Sequence, residues 1–380
     1  RRGGDLGLLD YYRQFEDVDE RELNKERRER RHRERALALE QVPDLDLSGT
    51  EWPEFPNSEV MNASIYTARG RVNGYPDRHA QDVRRALAEA HDVEPERIAV
   101  GNGAAELLQA AALVLLGDGD ELLTPWPSYP LYPLMAARAG GRPVPVDVSD
   151  GGVEQLRAAI TDRTRLVVLC NPNDPTGDHW AADEIASLAS ELPDGARVMV
   201  DEALVHFQDA EDVDAVLRLT DALPHLMVVR TFSKIYGLSG LRAGYAVGSS
   251  ASTSLLDSIA PVLGVNALTQ SAIVQALKIG GPEIARRRAA VIRERAHVLS
   301  ELRELPVEVG DSQANFVWLR AEGMTGVALA NGLRREGVIV APGGPLGAED
   351  HVRGTVRDEA ATERLLKALR RALGVEPAQP

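Results

Sequence analysis

Between Glu96 and Gly248, short aliphatic and β-branched runs alternate with stretches whose apolar residues recur at helical spacing. The runs are Arg97–Val100, Leu122–Thr124, Pro143–Val148, Leu166–Cys170, Val198–Val200, Leu226–Thr231 and Tyr245–Val247. Strands spaced by helices of roughly ten to fifteen residues predict βαβ units, hence an α/β fold with a mostly parallel sheet sandwiched by helices. Such a sheet carries its chemistry at the carboxyl ends of the strands. After about residue 250 the pattern turns helix-rich. A long amphipathic stretch, Pro282–Glu304, precedes strand-like runs at Asn315–Leu319, Val338–Val340 and Val352–Val356, and a closing helix at Ala360–Ala372. These predict a smaller α+β domain. Residues 10–41 are dense in charge of both signs and read as a solvated helix. The division expected is therefore 1–50, a charged helix and arm packing on the small domain; 51–255, the large domain; and 256–380, the small one.

At 380 residues the chain is too long for one ordinary core, which fits two unequal domains. Hydrophobic residues make up 44% and charged ones 27%, yet no apolar run approaches the roughly 20 residues that span a bilayer, so no membrane partner is expected. With 43 basic against 58 acidic residues the formal charge is −15, which argues against general affinity for nucleic-acid phosphates and leaves small molecules as partners. The single cysteine, Cys170, excludes an intramolecular disulfide and a multi-cysteine zinc site, and no metal is expected. It ends an apolar run and reads as a buried core thiol. No secretory signal is visible at the start, although the sequence begins at Arg1 and a removed leader stays open. A reducing cytoplasm fits best.

The densest cluster of chemistry is Arg230-Thr-Phe-Ser-Lys-Ile-Tyr-Gly-Leu-Ser-Gly-Leu-Arg-Ala-Gly-Tyr245, which follows a predicted buried strand. A lysine leaving such a strand is desolvated, which lowers its pKa and makes a Schiff base feasible near neutral pH. Thr231, Ser233 and Arg242 supply the hydroxyls and positive charge that a phosphate monoester needs. Asp201 stands at the end of another predicted strand, where a carboxylate can pair with a protonated ring nitrogen; taken alone it equally fits a helix N-cap. Gly101-Asn-Gly-Ala-Ala-Glu106 joins a strand to the apolar helix Leu107–Leu116, so the N–H groups of Ala104 and Ala105 open a helix N-terminus suited to an anion. Its glycines lack the dinucleotide spacing. Asn171-Pro-Asn-Asp-Pro-Thr-Gly177 is a rigid turn after a strand, able to hold a polar side chain over a bound group.

Together these motifs resemble the fold-type I pyridoxal-phosphate (PLP) enzymes of the class I/II aminotransferase family, especially the histidinol-phosphate aminotransferase branch, from about Leu45 to Leu373. The resemblance implies that Lys234 holds PLP as a Schiff base and shuttles a proton, that Asp201 pairs with the pyridinium nitrogen, and that Tyr129 stacks on the ring. It assigns the phosphate to Ala104, Ala105, Thr231, Ser233 and Arg242. Tyr75, in Gly74-Tyr-Pro-Asp77, resembles the tyrosine that the family reaches across from a partner subunit, implying a homodimer with shared sites; on sequence alone it equally fits a surface turn. Asn315 matches a residue near the substrate, and Arg353 the arginine that clamps the substrate's acidic group.

Four positions depart from the family pattern. Asp174 stands where an asparagine contacts the cofactor's phenolic oxygen, and Leu204 where a tyrosine does. Ala341 replaces an arginine that supports the substrate phosphate in the histidinol-phosphate branch; Arg357, in place of a glycine, either compensates or faces solvent. The implied activity is amino transfer between an amino acid or amino phosphate and a keto acid or aldehyde. Asp174 and Leu204 keep open a PLP-dependent decarboxylase, oxidase or cyclase.

Overall fold

The structure, a computed structural model, describes Lys25, Arg28, Glu29 and residues 43–149 and 152–375. The charged helix expected over residues 10–41 lies outside the described residues apart from those first three. A short strand, β1 (Leu45–Asp46), opens the continuous part. The seven runs expected before residue 250 are the strands β2 (Ile98–Gly101), β3 (Glu121–Trp126), β4 (Arg142–Asp147), β5 (Thr164–Cys170), β6 (Arg197–Asp201), β7 (Leu226–Thr231) and β8 (Gly244–Val247). They form one sheet in the order β2-β8-β7-β6-β5-β3-β4. β8 runs antiparallel to both its neighbours and the other pairings are parallel, so six strands end at the same edge.

The central strands of this sheet, β5, β6 and β7, are apolar along their middle because both faces are covered. Successive side chains alternate between faces: Val198, Val200, Leu226 and Val228 join one core with Leu87, Ile185 and Ile273, whereas Met199, Met227 and Val229 join another with Leu107, Ala111 and Met135. Each such side chain, fully buried, contributes about 1.5–3 kcal/mol. A strand that satisfies two cores has little freedom to slip its register. The polar residues at the strand ends are therefore held at fixed positions.

The later part of the chain builds a four-stranded antiparallel sheet in the order β12-β13-β10-β9, from β9 (Val307–Val309), β10 (Phe316–Ala321), β12 (Ala341–Pro342) and β13 (His351–Thr355). β11 (Val338–Ile339) instead pairs in parallel with β1. Val317, Leu319 and Leu47 pack with Leu302, Leu333 and Leu365 from the helices Gly281–Leu302, Gly326–Arg335 and Glu359–Ala372. The strands β1, β9 and β12 were not expected from the sequence. At two or three residues each they are too short to show a period. Among the described residues no helix is long and apolar enough to cross a membrane.

Candidate active site

The ends of β3, β5, β6 and β7, together with the helix that follows β2, surround a cavity of about 200 Å³. It is bordered by Glu51, Ala104, Ala105, Tyr129, Cys170, Asp174, Asp201, Ala203, Leu204, Thr231, Ser233, Lys234, Ser239 and Arg242. The structure thus brings together nine of the expected site residues, Tyr129 among them. Arg353, Asn315 and Tyr75 do not border the cavity.

Lys234 follows β7 by three residues. Burial lowers its pKa, with Asp174, Glu51 and Asp201 partly offsetting the effect. Its Nζ donates to Thr50 Oγ1, a contact across the sequence that no local motif signalled. Asp201 closes β6. It is wholly buried, and that burial raises its pKa from 3.8 to about 6 against the opposing effect of its hydrogen bonds. Tyr132 Oη donates to Asp201 Oδ2 at 2.9 Å and the Ala203 N–H to Oδ1 at 3.1 Å. Tyr132 was missed in the sequence, where it reads as one more apolar position of the helix Leu131–Arg138; only its place one turn from Tyr129 hinted at the site.

The helix Ala104–Leu115 begins at Gly103 without a side-chain cap. Its first N–H groups have no intrahelical acceptor, and Ala104 and Ala105 border the cavity. Across from them Arg242 Nη1 donates to Ser239 O at 3.1 Å and to Ser233 Oγ at 3.4 Å, while Thr231 Oγ1 bonds Ser233 Oγ at 3.0 Å. Two glycines keep this corner open. Gly103 has φ +92°, and a Cβ there would lie 2.7 Å from Arg242 Nη2; a Cβ on Gly244 would collide with the backbone nitrogen of Ala104. A helix N-terminus, two hydroxyls and a guanidinium around a space that a methyl group would fill suit a phosphate. With the buried carboxylate of Asp201 and the desolvated amine of Lys234 on the same cavity, the donor set fits pyridoxal phosphate.

The remaining wall differs. Asp174 Oδ1 lies 2.5 Å from Arg353 Nη1, both side chains nearly buried. Arg353 Nη2 donates to Ser48 O at 2.7 Å. The charge of Asp174 is thereby paired with a cation that the resemblance assigned to the substrate's acidic group. Leu204 is buried and packs with Phe207, Ile235 and Phe316, so apolar packing occupies the position of the family's tyrosine. Asn315 is also buried; its Nδ2 donates to Thr50 O at 3.1 Å and its Oδ1 has no partner. Arg357 Nη1 donates to Asp46 O at 2.9 Å and does not border the cavity. Cys170 does border it, but burial raises its pKa well above the ordinary value, which keeps the thiol protonated.

Beneath the site, Arg230 Nε and Nη2 each lie 2.7 Å from Glu202 Oε2, and Nη1 lies 2.6 Å from Asp214 Oδ1. Arg230 and Glu202 are 1% exposed, an ion pair in the interior between β7 and the residue that follows β6. The sequence reading passed over both. Each sits one to four residues from a chemistry-bearing side chain and reads there as part of the motif's frame.

Residues 44–369 match the family model described as aminotransferase class I and II. An aromatic amino acid aminotransferase of Corynebacterium jeikeium is 37% identical over 321 residues, covering 82% of this chain and 84% of the relative. A histidinol-phosphate aminotransferase of Anaeromyxobacter sp. is 36% identical over 320 residues, covering 83% and 88%. Among solved structures, the histidinol-phosphate aminotransferase of Sinorhizobium meliloti in complex with pyridoxal-5'-phosphate superposes with a TM-score of 0.77 at 26% identity, covering 87% of this chain and 91% of that one.

Proposed function

The chain belongs to the class I and II aminotransferases and is a pyridoxal-phosphate-dependent transferase; on that premise we propose that its substrate is an aromatic or imidazole-bearing amino compound, whose amino group passes to a keto acid or aldehyde. The reading is carried by one observation: Lys234, Asp201 and the Ala104/Ser233/Arg242 corner border a single cavity. The ring-bearing substrates in the names of both groups of relatives support the substrate class. Ala341 lies in register with Arg353 on the neighbouring strand and brings no charge of its own, which favours a ring without a phosphate.

Bound PLP supplies an electron sink for the carbon that carries the amino group. On this reading the chain's residues do the rest. Lys234 Nζ, its pKa lowered by burial and its position held by the Thr50 hydroxyl, takes and returns the proton at the substrate carbon. Asp201, fixed by Tyr132 and the Ala203 amide, holds a positive charge at the ring nitrogen. Tyr129 covers the ring, and Ala104, Ala105, Thr231, Ser233 and Arg242 hold the phosphate.

Two coarser features complete the proposal. Tyr75 is 90% exposed, Phe55 88% and Tyr66 81%, a density of exposed large apolar side chains over residues 55–75 that suits burial against a second copy of the chain. The active form is then a homodimer in which the partner's Tyr75 completes each phosphate site. Sedimentation of the PLP-loaded protein tests it; a monomer at working concentration would overturn it. The lone buried thiol suits a reducing compartment such as the cytoplasm.

The substrate class is tested with a donor panel of phenylalanine, tyrosine, tryptophan, histidine, histidinol, histidinol phosphate and aspartate, with products read by mass spectrometry. Ring-bearing donors should give the oxo product with stoichiometric conversion of the cofactor to its amine form. Conversion by aspartate alone would contradict the reading.

A further inference from the structure

Asp174 borders the cavity, and Arg353, to which it is bonded, does not. The two side chains are 14% and 10% exposed, so their 2.5 Å contact is shielded from bulk water. The second Nη group is also engaged. Nη2 is bonded to Ser48 O, the plane lies over the Phe316 ring at 5.4 Å, and Nε is buried with no hydrogen-bond partner. A substrate carboxylate binds arginine best through two parallel N–H···O bonds. Both Nη groups already carry a protein oxygen. An incoming carboxylate must displace Asp174 or share the guanidinium with it, and two carboxylates on one cation in a buried site repel.

We propose that Asp174 is a specificity-determining residue, an internal carboxylate that holds Arg353 and competes with the carboxylate of a substrate. The proposal rests on reading Arg353 as the clamp for a substrate's acidic group. It deepens the substrate class. An amine whose reacting carbon carries a neutral group, such as a hydroxymethyl, enters with the ion pair undisturbed, whereas an α-amino acid enters only by breaking it or by sharing Arg353 with Asp174. Asp174 is one atom class away from the family's asparagine, which keeps the oxygen acceptor for Arg353 but carries no charge. The difference therefore lies in charge, and it lies on the cavity wall.

The test uses the PLP-loaded protein and ligands that cannot react. Binding of 3-phenylpropionate and of 3-phenylpropan-1-ol, and of the corresponding imidazole pair, is measured by calorimetry on the wild type, Asp174→Asn, Arg353→Gln and the double variant. Asp174→Asn should bind the carboxylates about tenfold tighter, the effect of roughly one charge-assisted hydrogen bond, and the alcohols within about twofold of the wild type. In the Arg353→Gln background the same change should gain less than about twofold, since the cycle isolates the coupling between the two residues. No gain for either carboxylate overturns the proposal. A gain that persists in full without Arg353 also overturns it, because general repulsion would then be the cause. Asp174→Ser serves as a second variant with the same expected gain, should the asparagine variant fold poorly. Failure of the donor panel leaves this cycle readable, and failure of the cycle leaves the donor panel untouched.

Discussion

On one wall of the cavity Thr231, Ser233, Arg242 and the N-terminus of the helix Ala104–Leu115 present donors around a space kept clear by Gly103 and Gly244; on the other, Arg353 is already bound to Asp174 and the position of a family hydroxyl is filled by Leu204. The first wall is prepared for an anion that comes from outside. The second has satisfied its cation from within. Two walls of one cavity thus serve different ends: the first follows what any phosphate-bearing cofactor demands, and the second is free to vary with the substrate. Breaking each wall separately should separate cofactor retention from substrate choice.

The largest effect is expected at the lysine. Lys234→Ala should lower amino transfer at least about a thousandfold, as loss of a covalent and proton-transferring group does, while the phosphate wall still retains some cofactor. Activity within tenfold of the wild type would break the first half of the comparison.

Asp201→Asn comes next, with about a hundredfold loss of turnover expected from the missing partner of the ring nitrogen. It also carries a pH signature in the cofactor-free protein. Burial raises Asp201 from 3.8 to about 6, so the folded protein holds this proton more tightly than the unfolded chain. The stability it contributes is fully present below about pH 4 and is lost as pH rises through about 6. Cofactor-free Asp201→Asn should therefore match the wild type at pH 4 and exceed it at pH 8 by up to about 3 kcal/mol, two units at about 1.4 kcal/mol each. Denaturant midpoints at the two pH values check this; an equal gap at both would contradict it.

Gly103→Ala meets both a positive φ and Arg242, and should weaken PLP binding about ten- to thirtyfold, read by equilibrium dialysis, with donor KM unchanged once the cofactor is saturating. The smallest effect is expected on the other wall. Leu204→Phe overfills the packing against Phe207, Ile235 and Phe316 and should cost about 1–3 kcal/mol of stability, while PLP affinity stays within about twofold. A loss of PLP affinity as large as that of Gly103→Ala would merge the two walls into one.

The first wall and the large sheet were legible in the sequence because their signals are local. A strand of fully apolar residues, then Thr231-Phe-Ser-Lys234, or Gly101-Asn-Gly-Ala-Ala105, places backbone and side chain together within a few positions. The second wall was not, because its contacts join distant segments: Arg353 to Asp174 and Ser48, Lys234 to Thr50, and Asn315 to Thr50. Sequence could flag Asp174 and Leu204 as departures, but not that Arg353 would take up the charge of the first. Tyr132 escaped for a related reason, since a buried hydroxyl on an apolar helix shows its partner only once β6 lies beside it.

The account rests on Lys234 as the cofactor's anchor, and the chain makes that easy to decide, since it has four lysines, Lys25, Lys234, Lys278 and Lys367. The PLP-loaded protein is reduced with borohydride, digested, and its peptides mapped by mass spectrometry. The account predicts one pyridoxyl group per chain, on Lys234. A pyridoxyl group on one of the other three lysines, or on none, would contradict it.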